Sequence, residues 1–299
     1  METPTAMRDK AWTLLWKSQW LRRFVFLIVS FNFIRFLTVN LFTSLLGESV
    51  GTMQSRLMAA ETVEQVMALL QEPEIIRSLL LTMALSVFVA GTINCIASFG
   101  LSRVRLAAAK GENTENWLRQ AFSGFADPFG MLALGFLHAI FVWWPMLLIV
   151  APAMLCLIAN LATSGVFMPG YLAVLPFSLL SLVAFYRYRQ TWFLKASHSD
   201  WSALKCLRES ARMMDGAKWR CFILDCAFWR PATLLMLAIG AAAVAALQYD
   251  KAAFIVMLAT FLATGLELYL SAYIPLAQAI FHIDLNARDN QEGTENENR

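Results

Sequence analysis

Long apolar stretches separated by shorter polar segments make up most of this sequence. Six of them exceed the roughly 18 consecutive apolar residues that a helix needs to cross a bilayer. Inside lipid, a single segment can satisfy its own backbone hydrogen bonds only as a helix. The pattern therefore predicts an all-α polytopic membrane protein with transmembrane helices at 24–46, 75–99, 129–161, 171–194, 221–247 and 252–281.

Polar segments with helical periodicity precede the first, third and fifth of these stretches. In each segment a tryptophan (Trp20, Trp117 or Trp219) stands within two residues of an arginine. At a membrane boundary the indole ring sits at headgroup depth and the cation stays in water. This repeat predicts three helical hairpins, each preceded by a cytoplasmic amphipathic surface helix, the first at residues 1–23. The alternative is that membrane interfaces recruit Trp and Arg three times independently.

The composition argues against an ordinary soluble domain. The chain is 59% hydrophobic and 15% charged, whereas soluble domains carry about a quarter charged residues. Its five cysteines lack CxxC spacing, so we expect free thiols rather than a disulfide framework or a metal site. We predict no cofactor.

The distribution of Lys and Arg predicts how the chain is threaded. The N-terminus and the segments 101–128 and 187–220 hold nearly all the cations, whereas the other loops hold almost none. Because cytoplasmic loops carry the excess of Lys and Arg, both termini are predicted to be cytoplasmic. The net charge of +3 hides this asymmetry. The uneven distribution of cations indicates contact with anionic lipid headgroups and gives no reason to invoke nucleic acid. Residues 282–299 are polar and rich in Asn and Glu, which predicts a disordered cytoplasmic tail.

The most basic part of the chain runs from Asp200 to Arg230 and begins with an amphipathic pattern. Ser199 or Asp200 suits the helix start, and Gly216 suits a left-handed cap at its end. This segment predicts a docking surface for a membrane protein partner, a second copy of the chain or anionic lipid; the alternative is a plain interfacial connector. The candidate docking residues are Lys205, Arg208, Arg212, Lys218, Trp219 and Arg220.

Two groups of positions in the chain form a recognisable pattern. They are Glu209, Ser210, Met213, Met214, Gly216, Lys218, Trp219, Arg220, Phe222, Leu224 and Asp225, and upstream Gly100, Leu101, Ser102, Arg103, Lys110, Gly111 and Glu112. This pattern resembles that of a bacterial integral-membrane family called "domain of unknown function 975". The sequence departs from the family pattern at 228–231 and at 151–153. The resemblance implies a multi-pass protein of the bacterial cytoplasmic (inner) membrane. The family has no agreed activity.

Charged residues inside the predicted spans are the sharpest functional clue. Arg35, Arg230 and Glu267 all fall near the bilayer centre at about 1.5 Å per residue. An isolated charge there costs at least about 2.5 kcal/mol, so each should be paired or line a wet cavity. We predict that Arg230 and Glu267 pair across the last hairpin, with Arg35, Asn32 or His138 nearby. Such a cluster has one of two roles. It forms part of a pathway for a substrate or a proton, or it is a structural ion pair that fixes the register of the helices.

Three function classes follow from these features. The first is a non-enzymatic scaffold, assembly factor or accessory subunit that uses its basic cytoplasmic helices. The second is a small transporter or permease that uses Arg35, Arg230 and Glu267. The third is a membrane enzyme. The sequence argues against it, because it contains no HExxH motif, no Gly-x-Ser-x-Gly motif and no phosphate-binding glycine loop. We expect the first class.

Overall fold

A computed structural model describes residues 2–17, 19–45, 73–112, 115–144, 174–228, 240 and 252–297. Every regular element within these ranges is helical. The helices are α1 (Pro4–Lys17), α2 (Trp20–Leu45), α3 (Pro73–Ala109), α4 (Trp117–Ala121), α5 (Pro128–Trp144), α6 (Val174–Arg187), α7 (Thr191–Ser197), α8 (Ala203–Met213), α9 (218–228) and α10 (Ala252–Glu297), with a 3-10 turn at Phe122–Ala126.

Three helical segments in the described part of the chain are long and apolar enough to cross a membrane: Trp20–Leu41, Ala84–Ala109 and Phe261–Gln291. A fourth candidate joins the α4 segment to α5 across an 81° bend. The prediction of an all-helical fold that contains apolar helices long enough to cross a membrane is therefore confirmed. Six spans in three hairpins stay a prediction, because 145–173, 229–239 and 241–251 lie outside the described residues.

The long helices α2, α3 and α10 each have an exposed apolar part and a buried part. In α3, Val87 is exposed whereas Val104 is fully buried. In α10, Phe261 is exposed whereas Leu276 is fully buried. An exposed apolar stretch belongs in lipid, whereas the buried parts pack on one another. The helices thus continue past the lipid-facing level into a helical core, and α3 runs ten residues beyond the predicted end of the second span, to Ala109.

The prediction of a single surface helix at residues 1–23 is wrong in two respects. Helix α1 stops at Lys17, and Gln19 adopts a left-handed backbone conformation (φ 59°) before α2 begins at Trp20. Helix α1 is also part of the core, because its Met7 and Leu15 side chains are fully buried against the other helices. The amphipathic pattern identified the helix, but its apolar face packs on protein.

The predicted fourth span, 171–194, is not one continuous helix. Helix α6 ends at Arg187, and α7 begins at Thr191 after a short turn. The Thr191 hydroxyl donates to the carbonyl oxygen of Tyr188 at 2.7 Å and so closes this turn. The turn brings α7 against α3, where it helps to build the site described below.

The prediction of a disordered tail after residue 281 is also wrong for the described part of that segment. Helix α10 continues to Glu297, and both His282 and Leu285 are fully buried. Asp284 accepts a hydrogen bond from the backbone N–H of Glu2 at 3.0 Å and pairs with Arg220 at 3.3 Å. Because this segment is polar on average, its composition gave no indication that His282 and Leu285 are buried.

Replacing Leu285 with alanine should lower the free energy of unfolding by about 2 kcal/mol, because it leaves a cavity in the core. Leu258→Ala, the same change at an exposed position of α10, is the matched control and should have little effect. Thermal unfolding of the detergent-solubilised chain measures both. Equal unfolding temperatures for the two variants would show that residue 285 lies outside the stable core.

Candidate functional site

A buried carboxylate, Asp225 of α9, is the centre of a polar cluster in the core. It is only 5% exposed. Its two oxygens accept hydrogen bonds from the Tyr186 hydroxyl at 3.2 Å and from Nε2 of Gln278. The guanidinium of Arg189 lies 3.9 Å away, an ion pair without a hydrogen bond. The cluster joins α9, α10 and the joint between α6 and α7.

A cavity of about 230 Å³ adjoins this cluster. Three of its lining residues, Ser98, Ser102 and Arg105, follow each other at spacings of four and three along α3, so they share one face of that helix. The remaining walls come from α5, the joint between α6 and α7, and α10. They are His138, Phe185, Arg189, Trp192, Phe193, Pro275 and Gln278.

The Arg105 side chain makes fewer hydrogen bonds than a buried cation normally does. One of its terminal nitrogens donates to the carbonyl oxygen of Ser271 at 3.2 Å. Its Nε is buried and has no hydrogen-bond partner in the described structure. Buried polar groups are nearly always hydrogen-bonded, so an orphan of this kind requires an explanation.

The described residues of the predicted intramembrane charge cluster, Arg35, His138 and Glu267, show no ion pair or hydrogen bond with one another. Nε2 of His138 lies 3.3 Å from the carbonyl oxygen of Tyr188, in the turn after α6, and the imidazole ring lies beside the ring of Trp192 on α7. Its Nε2 must carry a hydrogen there, because a carbonyl only accepts. Arg35 is half-buried and Glu267 is exposed, and neither belongs to an ion pair within the described ranges. Arg230 lies outside them, so its pairing with Glu267 stays a prediction.

An open groove of about 660 Å³ runs between α8 and the ends of α5 and α6. Four cations line it against a single carboxylate, and the rest of the wall is mostly apolar or aromatic. We call it the basic groove. Its lining residues are Phe141, Arg187, Tyr188, Leu204, Leu207, Arg208, Ala211, Arg212, Asp215 and Lys218.

The position of α8 explains why these cations face the groove. Ser202, rather than the predicted Ser199 or Asp200, caps the helix by accepting a hydrogen bond from the N–H of Lys205. Gly216 has the predicted left-handed conformation (φ 71°), but it lies two residues after the C-cap, Met214. The buried Ser210 hydroxyl donates to the Arg187 carbonyl and accepts from the Gln190 N–H, both at 3.2 Å. Ser210 thus fastens α8 to the turn after α6.

The structure separates the six predicted docking residues into two groups. Arg208, Arg212 and Lys218 line the basic groove. The hydrogen bond between Arg212 and Glu209 raises the pKa of Arg212, which therefore remains charged at neutral pH. The other three residues lie elsewhere: Lys205 over the Trp201 ring, Trp219 68% exposed and stacked on Phe222, and Arg220 turned inward to Asp284.

Sequence reasoning missed most of the buried polar cluster. Asp225 carried a usable signal, because an acidic residue interrupts the apolar run CFILDCAF at the start of a predicted span. Arg105 and Arg189 looked like ordinary boundary cations. Only the three-dimensional packing turns them toward one cavity.

Comparisons with known proteins leave the family open. No family model matches the sequence, and neither a curated protein nor a solved structure matches it. The resemblance in the basic segment therefore stays a prediction.

Proposed function

We propose that this protein is a non-enzymatic membrane scaffold, assembly factor or accessory subunit that docks an acidic segment of a partner protein in its basic groove. The observation that carries the proposal is the excess of four cations over one carboxylate along one groove. We further propose six spans, with both termini and this groove on the cytoplasmic side, because the groove cations come from the segment that the positive-inside rule assigns there.

Two of the groove cations are available to a partner. Arg187 and Arg208 are exposed and belong to no ion pair among the described residues. Arg212 and Lys218 already have carboxylates nearby. A guanidinium binds a carboxylate through two parallel hydrogen bonds, so the two arginines favour Asp and Glu side chains.

The apolar wall of the groove favours a peptide over a free anion. Leu204 is exposed, and the Phe141 and Tyr188 rings lie 5.4 Å apart beside it. Buried aromatic and aliphatic contacts supply most of the binding energy in protein interfaces, whereas charges steer the encounter and set specificity. An acidic segment with apolar residues matches both parts of this surface.

The alternative is a small transporter or permease that uses Arg35, Arg230 and Glu267. It rests on the sequence positions of these residues alone. Glu267 is exposed on α10, and a pathway residue would face the inside of the bundle. We therefore place the scaffold proposal first.

Site-specific photo-crosslinking in cells tests the docking proposal. A photoreactive amino acid at position 204 should give a discrete protein adduct. Its yield should fall about tenfold in Arg187→Glu/Arg208→Glu, which equals a loss of about 1.4 kcal/mol in binding.

The control uses α4, which also presents an exposed leucine beside an arginine, Leu118 and Arg119. A photoreactive residue at 118 should not give the same adduct, and Arg119→Glu should leave the adduct at 204 unchanged. Two results would contradict a specific acidic partner: an adduct at 204 whose yield does not fall in Arg187→Glu/Arg208→Glu, or the same adduct formed from position 118.

A further inference from the structure

The cavity beside Asp225 contains more positive than negative charge. The guanidinium groups of Arg105 and Arg189 both line it. Asp225 is the nearest carboxylate in the described structure, 3.9 Å from Arg189. Two guanidinium charges and one carboxylate leave one positive charge without a partner. A buried charge without a partner is destabilising, because its desolvation is not repaid.

Among the described residues, Asp225 forms no hydrogen bond with either arginine. Both of its oxygens already accept from Tyr186 and Gln278. Arg189 stays beyond hydrogen-bond distance from it and lies instead over the Phe185 ring, 4.6 Å from the ring centroid. Arg105 has one carbonyl acceptor and a buried Nε without a partner. Donors on both arginines are therefore left for something else in the cavity.

We infer that this cavity binds a monovalent oxyanion, a carboxylate or a phosphodiester group, between Arg105 and Arg189. One negative charge balances the excess. The planar fork of N–H donors on each arginine matches the oxygen atoms of either group. Ser98 and Ser102 line the same cavity on the side of α3 and add hydroxyl donors.

The remaining walls fit the rest of such a ligand. Phe185, Trp192, Phe193 and Pro275 form an apolar and aromatic lining that suits a hydrocarbon group attached to the oxyanion. Two sources supply this chemistry, a small soluble carboxylate or the headgroup of a phospholipid. The cavity shares no lining residue with the basic groove, so this inference stands or falls independently of the docking proposal.

Thermal unfolding of the delipidated full chain in detergent tests the site with acetate and dimethyl phosphate as probes, against chloride at equal ionic strength. At least one probe should raise the Tm of the wild type in a concentration-dependent manner. Arg105→Gln and Arg189→Gln should bind that probe at least about tenfold more weakly. Arg103→Gln is the matched control: it lies two residues away on α3 but bonds Ser123 outside the cavity, and it should respond like the wild type.

A phosphorus assay after purification without delipidation separates the two sources. Phospholipid retained by wild type and Arg103→Gln but lost from Arg105→Gln identifies a headgroup, whereas a Tm response without retained lipid identifies a soluble carboxylate. The inference is overturned if neither probe raises the wild-type Tm above chloride and wild type retains no phospholipid. It is also overturned if Arg105→Gln and Arg189→Gln, both folded, behave like Arg103→Gln. The wild-type measurements decide the matter even if one variant does not fold.

Discussion

Replacing Gly100 with alanine should push α4 away from α3 and lower the free energy of unfolding by about 3 kcal/mol. A Cβ atom at Gly100 would lie 1.7 Å from the carbonyl oxygen of Ala121, far inside van der Waals contact. The obstacle is backbone, so rotation of a side chain cannot relieve the clash. Helix α4 has only five residues and no side-chain cap, so its position depends on this close approach.

Thermal unfolding in detergent and limited proteolysis around residues 117–126 measure the effect. Gly91→Ala is the matched control, because it lies on the same helix and a Cβ there meets nothing within 4 Å. That variant should unfold like the wild type. If Gly100→Ala keeps the wild-type unfolding temperature and proteolysis pattern, α4 does not pack on α3 at this distance.

Replacing Asp225 with alanine should cost about 3–5 kcal/mol, the range found when one partner of a buried ion pair is removed. The change leaves the Tyr186 hydroxyl and the Gln278 amide without their acceptor. It also raises the imbalance in the cavity to two unpaired guanidinium groups. Asp225→Asn keeps one acceptor oxygen and should be less damaging.

The fraction of monodisperse protein in detergent and its unfolding temperature report this loss. Asp215→Ala is the control, because Asp215 is an exposed carboxylate that pairs with Lys218 at 3.7 Å. Exposed ion pairs contribute at most about 1 kcal/mol. Similar stability of the Asp225 and Asp215 variants would show that the buried carboxylate does not hold the core together.

Hydrophobic patterning was enough to find the long helices. The apolar runs that became α2, α3 and α10 were evident from the sequence, because a lipid-facing helix is apolar on almost every side. The left-handed conformation of Gly216 after α8 was also predictable, since a positive φ favours glycine whatever the tertiary surroundings are.

The buried parts of the same helices were much harder to predict. The segment after residue 281 is polar on average, and the burial of His282 and Leu285 follows only from tertiary packing. Phe193 of α7 stacks on the His282 ring, and Leu285 belongs to the main core cluster. The rule that charges inside spans mark function directed attention to Arg35 and Glu267. The charges that meet are Arg105, Arg189 and Asp225, near the ends of their apolar runs, where a cation looks like an ordinary boundary residue.

The hydrogen bond between Glu2 and Asp284 restricts the number of times that the chain can cross the membrane. Two residues in direct contact lie in the same compartment, so the chain between them crosses the bilayer an even number of times. An odd total, such as one crossing completed in each of the three apolar helical segments before Asp284, does not satisfy this parity. Totals of four or six satisfy this parity, and reporter tags attached near Glu2 and near Asp284 would be exposed on the same side of the membrane.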